Sequence, residues 1–458
     1  MILTFGTYDA ERHPRVSVLA AGLRAHGAEV TELNRPLGFS TAERVRMLQQ
    51  PWRLPLLVVR LLACWAGLVA GAVRLRRTHG RPDAVLVGYL GHFDVVLARV
   101  LFPRSVVVLD HLIFAGDTAV DRGAAGLRVR LLNVLDRVAT SCADVVVTDT
   151  DEHRAMLPDP SRGVTVLVGA PTAWFDAATG PTAPGEDAIV TGGSLPTSHD
   201  GVLDHVDGAA DTGGAGADGR LRVVFFGLYT PLQGARVIAE AIRDAVGSGA
   251  RLDVTMIGSG QDLAAAREIL AGTPDVTWHD WVEPADLPAL VAGHDVCLGI
   301  FSDTPKGLRV VPNKVYQGLA AGCVVVTSDT PPQRRAVGDA AELVPPADPH
   351  ALAKTLTGLT DPSRLAAART RAAAGRDAIR PQAVVTPLLT PLTIPAPTHS
   401  PPSPTELSTT TPEPPAPARD HAISADGHAP MERNGVVDHH DVVDAGRDPG
   451  PRRDGDGP

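Results

Sequence analysis

Short runs of Val, Ile and Leu recur along this chain, and each is followed by a stretch with helical spacing. Runs at 1–5, 29–33, 84–88, 105–110, 145–149 and 164–168 show little alternation of apolar and polar residues. That is the pattern of strands covered on both faces. Between the first two, Val18, Leu19, Gly22 and Leu23 fall on one face of a segment that ends at Gly27, which predicts a helix over 15–26. Strand, helix and strand in repetition imply a parallel sheet with right-handed crossovers. The pattern restarts at Leu221, with runs at 223–226, 253–257, 276–278, 296–300, 324–327 and 342–344. Helical spacing follows at 234–246, 263–270, 284–292, 313–321 and 349–359. The expected class is α/β, with two Rossmann-like parallel-sheet domains facing each other across a cleft.

Composition divides the 458 residues further. Forty-five glycines and forty prolines are too many for one compact globule. They concentrate in 177–220, read as a flexible linker, and in 381–458, read as a disordered Pro-rich tail. The folded domains are then 1–176 and 221–380. A net charge of -10 argues against a nucleic-acid partner. Cys64, Cys142, Cys297 and Cys323 lie far apart inside apolar runs, as buried thiols in a reducing compartment do. The N-terminus has no basic region before a long apolar core, so it reads as a first strand and the expected location is cytoplasmic. Residues 54–73 are apolar except for Arg60, with Arg53, Arg74, Arg76 and Arg77 at the ends. Three readings fit this segment: a helix buried in an α/β layer, an interfacial helix, and a bilayer span.

Ligands of such folds sit outside the carboxyl ends of the strands, so post-strand loops are where chemistry is expected. The first such loop is Phe226-Gly-Leu-Tyr-Thr-Pro-Leu-Gln-Gly234, which leads into a helix. A glycine turn followed by a helix start makes an anion site, with Gly227 permitting the turn and Gly234 the approach of a phosphate. Gly258 and Gly260 form a second, shorter turn. The third loop carries Lys306, Arg309 and Lys314 within nine positions, and Asn313 is placed to cap the following helix. Basic side chains beside a helix start suit a diphosphate. In the first half, Thr7 and Asp9 follow the first strand, His92 and Asp94 the third, and Asp117 and Arg122 the fourth.

The residues from 1 to about 359, linker apart, resemble the group 1 family of retaining glycosyltransferases with the GT-B architecture. Phe226–Gly234, Leu298-Gly-Ile-Phe301 and Pro312-Asn-Lys-Val-Tyr-Gln317 are similar to one bacterial branch of it, as are Phe5-Gly-Thr-Tyr-Asp9, Gly88-Tyr-Leu-Gly-His-Phe-Asp94 and 144–149. The resemblance implies a nucleoside-diphosphate sugar held by the second domain at Gly227, Thr230, Gln233, Gly234, Gly258, Gly260, Pro312, Asn313, Lys314 and Gln317. It also implies a glycan or lipid-linked acceptor held by the first, near Thr7, Asp9, Asp94, Asp117 and Arg122. Lys306 and Arg309 would stabilise the leaving diphosphate, His92 would orient the transferred sugar, and no metal or cofactor would be needed.

Two positions depart from the family pattern. Gln233 stands where a lysine is usual and Gln317 where a ribose-binding glutamate is usual, although members of this branch also carry glutamine in the former place. The positive charge must then come from Lys306, Arg309 or Lys314. Two other readings remain open: a sugar-nucleotide epimerase of the same architecture, and a non-catalytic protein that binds a sugar nucleotide or a partner.

Overall fold

A computed structural model describes residues 1–9, 14–39, 47, 52, 54–121, 125–179 and 219–393. In the first half, β1 (Ile2–Gly6), β2 (Val30–Asn34), β3 (Ala84–Val87), β4 (Val106–Asp110), β5 (Val145–Thr148) and β6 (Gly163–Thr165) form one sheet. Its order is β2-β1-β3-β4-β5-β6. In the second half, β7 (Leu221–Phe226), β8 (Leu252–Ile257), β9 (Val276–His279), β10 (Val296–Leu298), β11 (Val324–Ser328) and β12 (Ala341–Val344) form another, ordered β12-β11-β10-β7-β8-β9. Every pairing is parallel, with Val296 opposite Val223 at the centre of the second sheet. The expected two-sheet α/β class is therefore the observed one.

Helices cover both faces of the first sheet, which explains why its strands read as unbroken apolar runs. On one face α1 (Arg15–Ala25) sets Val18, Leu19 and Leu23 against Ile2, Leu86, Val108 and Val147. The other face is covered by α2 (Leu54–Thr78) and α3 (Asp94–Leu101), then, after the short α4 (Ala115–Asp121), by α5 (Leu127–Ser141). Leu68, Ala72 and Leu75 of α2, Val95 and Ala98 of α3, and Ala139 of α5 pack there with Leu3, Phe5, Val85 and Leu109. By length and composition α2 could cross a membrane. Its inner stripe, however, belongs to the protein core, while Leu56, Val59 and Leu62 on its other side are exposed. It lies in the helix layer as one of the three readings required, but it is buried along one side only.

The boundary expected at 381 is corrected by the structure. Short helices at Pro381–Val384 and Thr386–Leu389 return to the first half, where Val384, Val385, Leu388 and Leu389 join α1 in covering the sheet. A Cβ at Gly22 of α1 would overlap the Pro381 carbonyl, so glycine is what lets the two segments meet. A proline-rich average conceals four apolar residues with a face to fill. Residues 180–218 of the linker expected at 177–220, and 394–458 of the tail expected at 381–458, fall outside the described residues.

Strand order matters for function at two places. It reverses between β1 and β3 in the first sheet and between β7 and β10 in the second. At such a reversal the flanking loops leave in opposite directions and open a crevice beyond the carboxyl ends. The loops after β1, β3, β7 and β10 are therefore the ones to inspect.

Candidate active site

The loops after β7 and β8 run against each other. Gly227 has φ +132° and Gly258 φ +121°, backbone that residues with a Cβ rarely adopt. A Cβ on Gly258 would overlap the Gly227 carbonyl oxygen, and one on Gly260 the Tyr229 carbonyl oxygen. The Tyr229 N–H donates to the Ser259 carbonyl at 3.0 Å. Gly234 is left-handed at φ +69°, and an added Cβ would lie 2.9 Å from the Phe301 carbonyl carbon and 3.1 Å from the Ser302 nitrogen. Its missing side chain therefore makes room for the loop after β10, and not for a phosphate as expected. Phe301 also donates its N–H to the Gln233 carbonyl at 3.2 Å. Thr230 precedes the short turn Pro231–Gln233, and the Gln233 Oε1 is buried without a hydrogen-bond partner.

The helix Asn313–Ala320 starts beside this rim. Its N-cap position is Pro312, no side chain caps it, and Asn313 is the first helical residue and exposed. The expected Asn313 cap is thus corrected: the proline fixes an extended entry and moves Asn313 one position into the helix. An uncapped start leaves backbone N–H groups for another acceptor. Lys314 is buried, with its Nζ 3.8 Å from the centre of the Phe225 ring and without a hydrogen-bond partner. A Cβ on Gly227 would lie 3.1 Å from that Nζ. Burial pushes the Lys314 pKa down to about 7. Gln317 is half-buried one turn further along the helix.

Lys306 and Arg309 reach the other half of the molecule. The Lys306 Nζ donates to Thr118 Oγ1 at 3.0 Å, and the Arg309 Nη2 to Asp117 Oδ1 at 2.7 Å. The hydroxyl of Thr150 donates to the Arg309 carbonyl at 2.9 Å. These contacts set the loop after β10 against the loops after β4 and β5, so the carboxyl edges of the two sheets face each other. Asp117 pairs with Arg309; Arg122 lies outside the described residues. Next to this pair is a cavity of 320 Å³, walled by Phe114, Asp117, Val120, Asn133, Asp136 and Met156 among others.

The expected residues of the first half are mostly engaged with one another. The backbone N–H and the hydroxyl of Thr7 both donate to Asp94 Oδ2 at 2.8 Å, and Trp65 Nε1 donates to Asp94 Oδ1 at 2.9 Å. Both residues are buried. Thr7 and Asp94 therefore fasten the reversal point and are not open to an acceptor, contrary to expectation. Asp9 is half-buried at the edge of the described segment.

His92 is buried too, its Nε2 2.9 Å from Asp136 Oδ1. The expected sugar-facing His92 is thus corrected: that nitrogen ties the start of α3 to α5. Asp136 also accepts the N–H groups of Ala115 and Gly116 at 3.0 and 3.1 Å. Burial opposes its ionisation, but His92 and the two N–H groups outweigh this and hold its carboxyl below the usual range.

His111, which follows β4 directly, was not expected from the sequence. It is buried, its Nε2 has no hydrogen-bond partner, and it lies 3.9 Å from Asp136 Oδ1. Burial first, and the neighbouring His92 second, push its pKa down to about 3, so the ring is neutral. His92, His111 and Asp136 offer ligand atoms within 4.8 Å of one another, the geometry a metal ion needs. Asp136 is already engaged by His92 and the N–H groups of Ala115 and Gly116, whereas His111 Nε2 has no hydrogen-bond partner. Position was the only available signal for His111: a lone histidine after an apolar run.

Residues 220–361 match the family model of group 1 glycosyl transferases. No curated protein matches the chain. Among solved structures it is similar to sucrose-phosphate synthase from Thermosynechococcus elongatus, with a TM-score of 0.52 and 15% identity over 84% of this chain and 94% of that one. It is also similar to Anabaena HepE in complex with UDP and glucose, with a TM-score of 0.50 and 13% identity over 86% and 98%. A glycosyltransferase from Rickettsia africae gives a TM-score of 0.50 and 12% identity over 86% and 97%. At these identities the structural likeness establishes the fold. The chain has the GT-B fold of two facing Rossmann-like halves, and within it residues 220–361 are similar to the group 1 glycosyl transferases.

Proposed function

We propose that this protein is a retaining glycosyltransferase that moves a sugar from a nucleoside-diphosphate donor to a glycan or lipid-linked acceptor. One observation carries the reading: Gly227, the buried Lys314 and the uncapped start of the Asn313–Ala320 helix meet where the second sheet reverses. A helix start and a lysine without a hydrogen-bond partner suit a diphosphate. HepE, which shares the fold, was solved with UDP and glucose, and this supports a donor of that class.

In this reading Lys306 and Arg309 leave Thr118 and Asp117 to hold the diphosphate, and Gln317 hydrogen-bonds the ribose. The acceptor oxygen bonds to the anomeric carbon on the face from which the diphosphate departs. A departing phosphate oxygen takes the acceptor proton, so no protein carboxylate serves as nucleophile. Positioning and charge stabilisation are the protein's share, without a metal. Facing sheet edges exclude water and protect the donor from hydrolysis. The acceptor occupies the side of Asp9, Asp117 and the adjoining cavity. Four free cysteines support a cytoplasmic location, where surface polysaccharide or glycolipid is assembled.

A panel of UDP-, GDP- and dTDP-sugars tests this. One donor should raise the melting temperature and slowly release nucleoside diphosphate, and the product should keep the donor's anomeric configuration. Stabilisation without release from any donor would leave a binding protein in place of an enzyme. An inverted product would remove the retaining mechanism.

A further inference from the structure

Fourteen of the seventeen large apolar side chains exposed among the described residues lie between 52 and 138. Most of them belong to three helices. Leu56, Val58, Val59, Leu62, Val69 and Val73 are on α2 and Val100 is on α3; Leu127, Leu131, Val134 and Val138 are on α5. The α5 set is spaced by four, three and four residues, which makes a single stripe along the helix. Leu127 is 71% exposed and Leu131 61%. Scattered apolar residues on a surface need no explanation, but a concentration like this does.

The three helices form one layer. Their inner residues pack on the same face of the first sheet, so their outer residues look the same way, away from it. Polar ties hold the layer together: Trp65 to Asp94 between α2 and α3, His92 just before α3 to Asp136 in the second half of α5, and Arg99 Nε to the Cys142 carbonyl at 2.8 Å. The layer is therefore a preformed surface and not three independent segments.

Its charge identifies what it meets. The chain carries a net charge of -10, yet α2 has Arg60, Arg74, Arg76 and Arg77 and no acidic residue. On α5 are Arg128, Arg130 and Arg137, and its one acid, Asp136, is buried. Apolar residues fringed by arginine, in a chain that is acidic overall, match an anionic bilayer, with the apolar side chains entering the headgroup–acyl boundary. A transmembrane α2 does not fit, because Cys64, Leu68 and Ala72 are buried within the domain.

We infer that the outer faces of α2, α3 and α5 together dock the first half of the protein onto an anionic lipid surface as a monotopic contact. This does not depend on glycosyl transfer. The full chain is sedimented with vesicles of phosphatidylcholine alone and of phosphatidylcholine mixed with phosphatidylglycerol. Binding to the mixed vesicles should exceed binding to the neutral ones by about tenfold or more and fall with salt. The double variant Leu131→Gln, Val134→Gln, on the exposed stripe, should lose about tenfold in partitioning with unchanged circular dichroism. Arg128→Gln with Arg130→Gln should narrow the preference for anionic vesicles. Absence of sedimentation with either vesicle, or equal binding to both, overturns the proposal. So does a wild-type chain that dimerises without lipid while the Leu131, Val134 variant stays monomeric, since the face would then join two copies of this chain.

Discussion

At the reversal of the first sheet, Thr7, Asp94 and Trp65 satisfy one another, and close by His92 and Asp136 do the same. At the reversal of the second sheet, the Lys314 Nζ and Gln233 Oε1 are buried without a partner and a helix begins uncapped. Two topologically similar crevices thus treat their polar groups in opposite ways. Buried polar atoms are normally paired, so the first edge holds its own shape, and the second is where the proposed donor would supply the missing partners. In the first half, His111 Nε2 after β4 and the neighbouring Asp110 Oδ2 are likewise buried without a hydrogen-bond partner.

Substitutions can break or sharpen this contrast. The largest effect is expected from Gly258→Ala, whose Cβ would force the β7 and β8 loops apart. Displacing the rim by about 1 Å should cost on the order of a hundredfold in kcat/KM, read by donor hydrolysis. Asp94→Ala should instead act on stability: two buried donors and one part-buried donor lose their acceptor, at about 3 kcal/mol in urea unfolding, while the folded fraction keeps its donor KM. A large KM change in that variant would show the first edge to be a ligand site after all.

Lys306→Ala should lower turnover by about tenfold, the scale of one lost transition-state donor. Unchanged turnover would remove Lys306 from the reaction. Lys314 offers a pH test. Its folded pKa of about 7 lies below the usual lysine value, so above pH 7 the unfolded chain binds a proton that the folded one does not. The destabilisation is full below that pH and fades as pH rises towards the ordinary lysine range. Lys314→Met should therefore stabilise the protein more at pH 6 than at pH 9. A diphosphate placed over the amine would raise its pKa, so nucleoside-diphosphate binding at pH 8 should take up protons. Calorimetry in buffers of different ionisation enthalpy reads this uptake, and Lys314→Met should abolish it. The smallest effect belongs to Asp117→Asn: releasing Arg309 from a partly exposed pair should improve donor affinity about threefold.

Much of the architecture was legible in the sequence. Strands covered on both faces leave unbroken apolar runs, which located the central strands from Val, Ile and Leu, while the edge strands β2 and β9 carry polar residues and are only half-buried. The glycine loops and the cluster Lys306, Arg309 and Lys314 were legible as post-strand features. Spacing did not show which backbone each glycine faces, and Gly234 proved to face Phe301 and Ser302. Nor did it show the rotation of the Asn313–Ala320 helix, which buries Lys314 and exposes Asn313. Residues 381–389 were hidden by a proline-rich neighbourhood.

By itself the sequence determined the number of strands, their division between two sheets, and the loops that end near the cleft, because each follows from a local pattern. Which polar residues are spent on the fold and which remain for a ligand was decided only in three dimensions. Thr7 and Asp94 are 87 residues apart, and Arg309 and Asp117 are 192 apart. Their meeting depends on strand order and on how the two halves face, and no local run of residues encodes either.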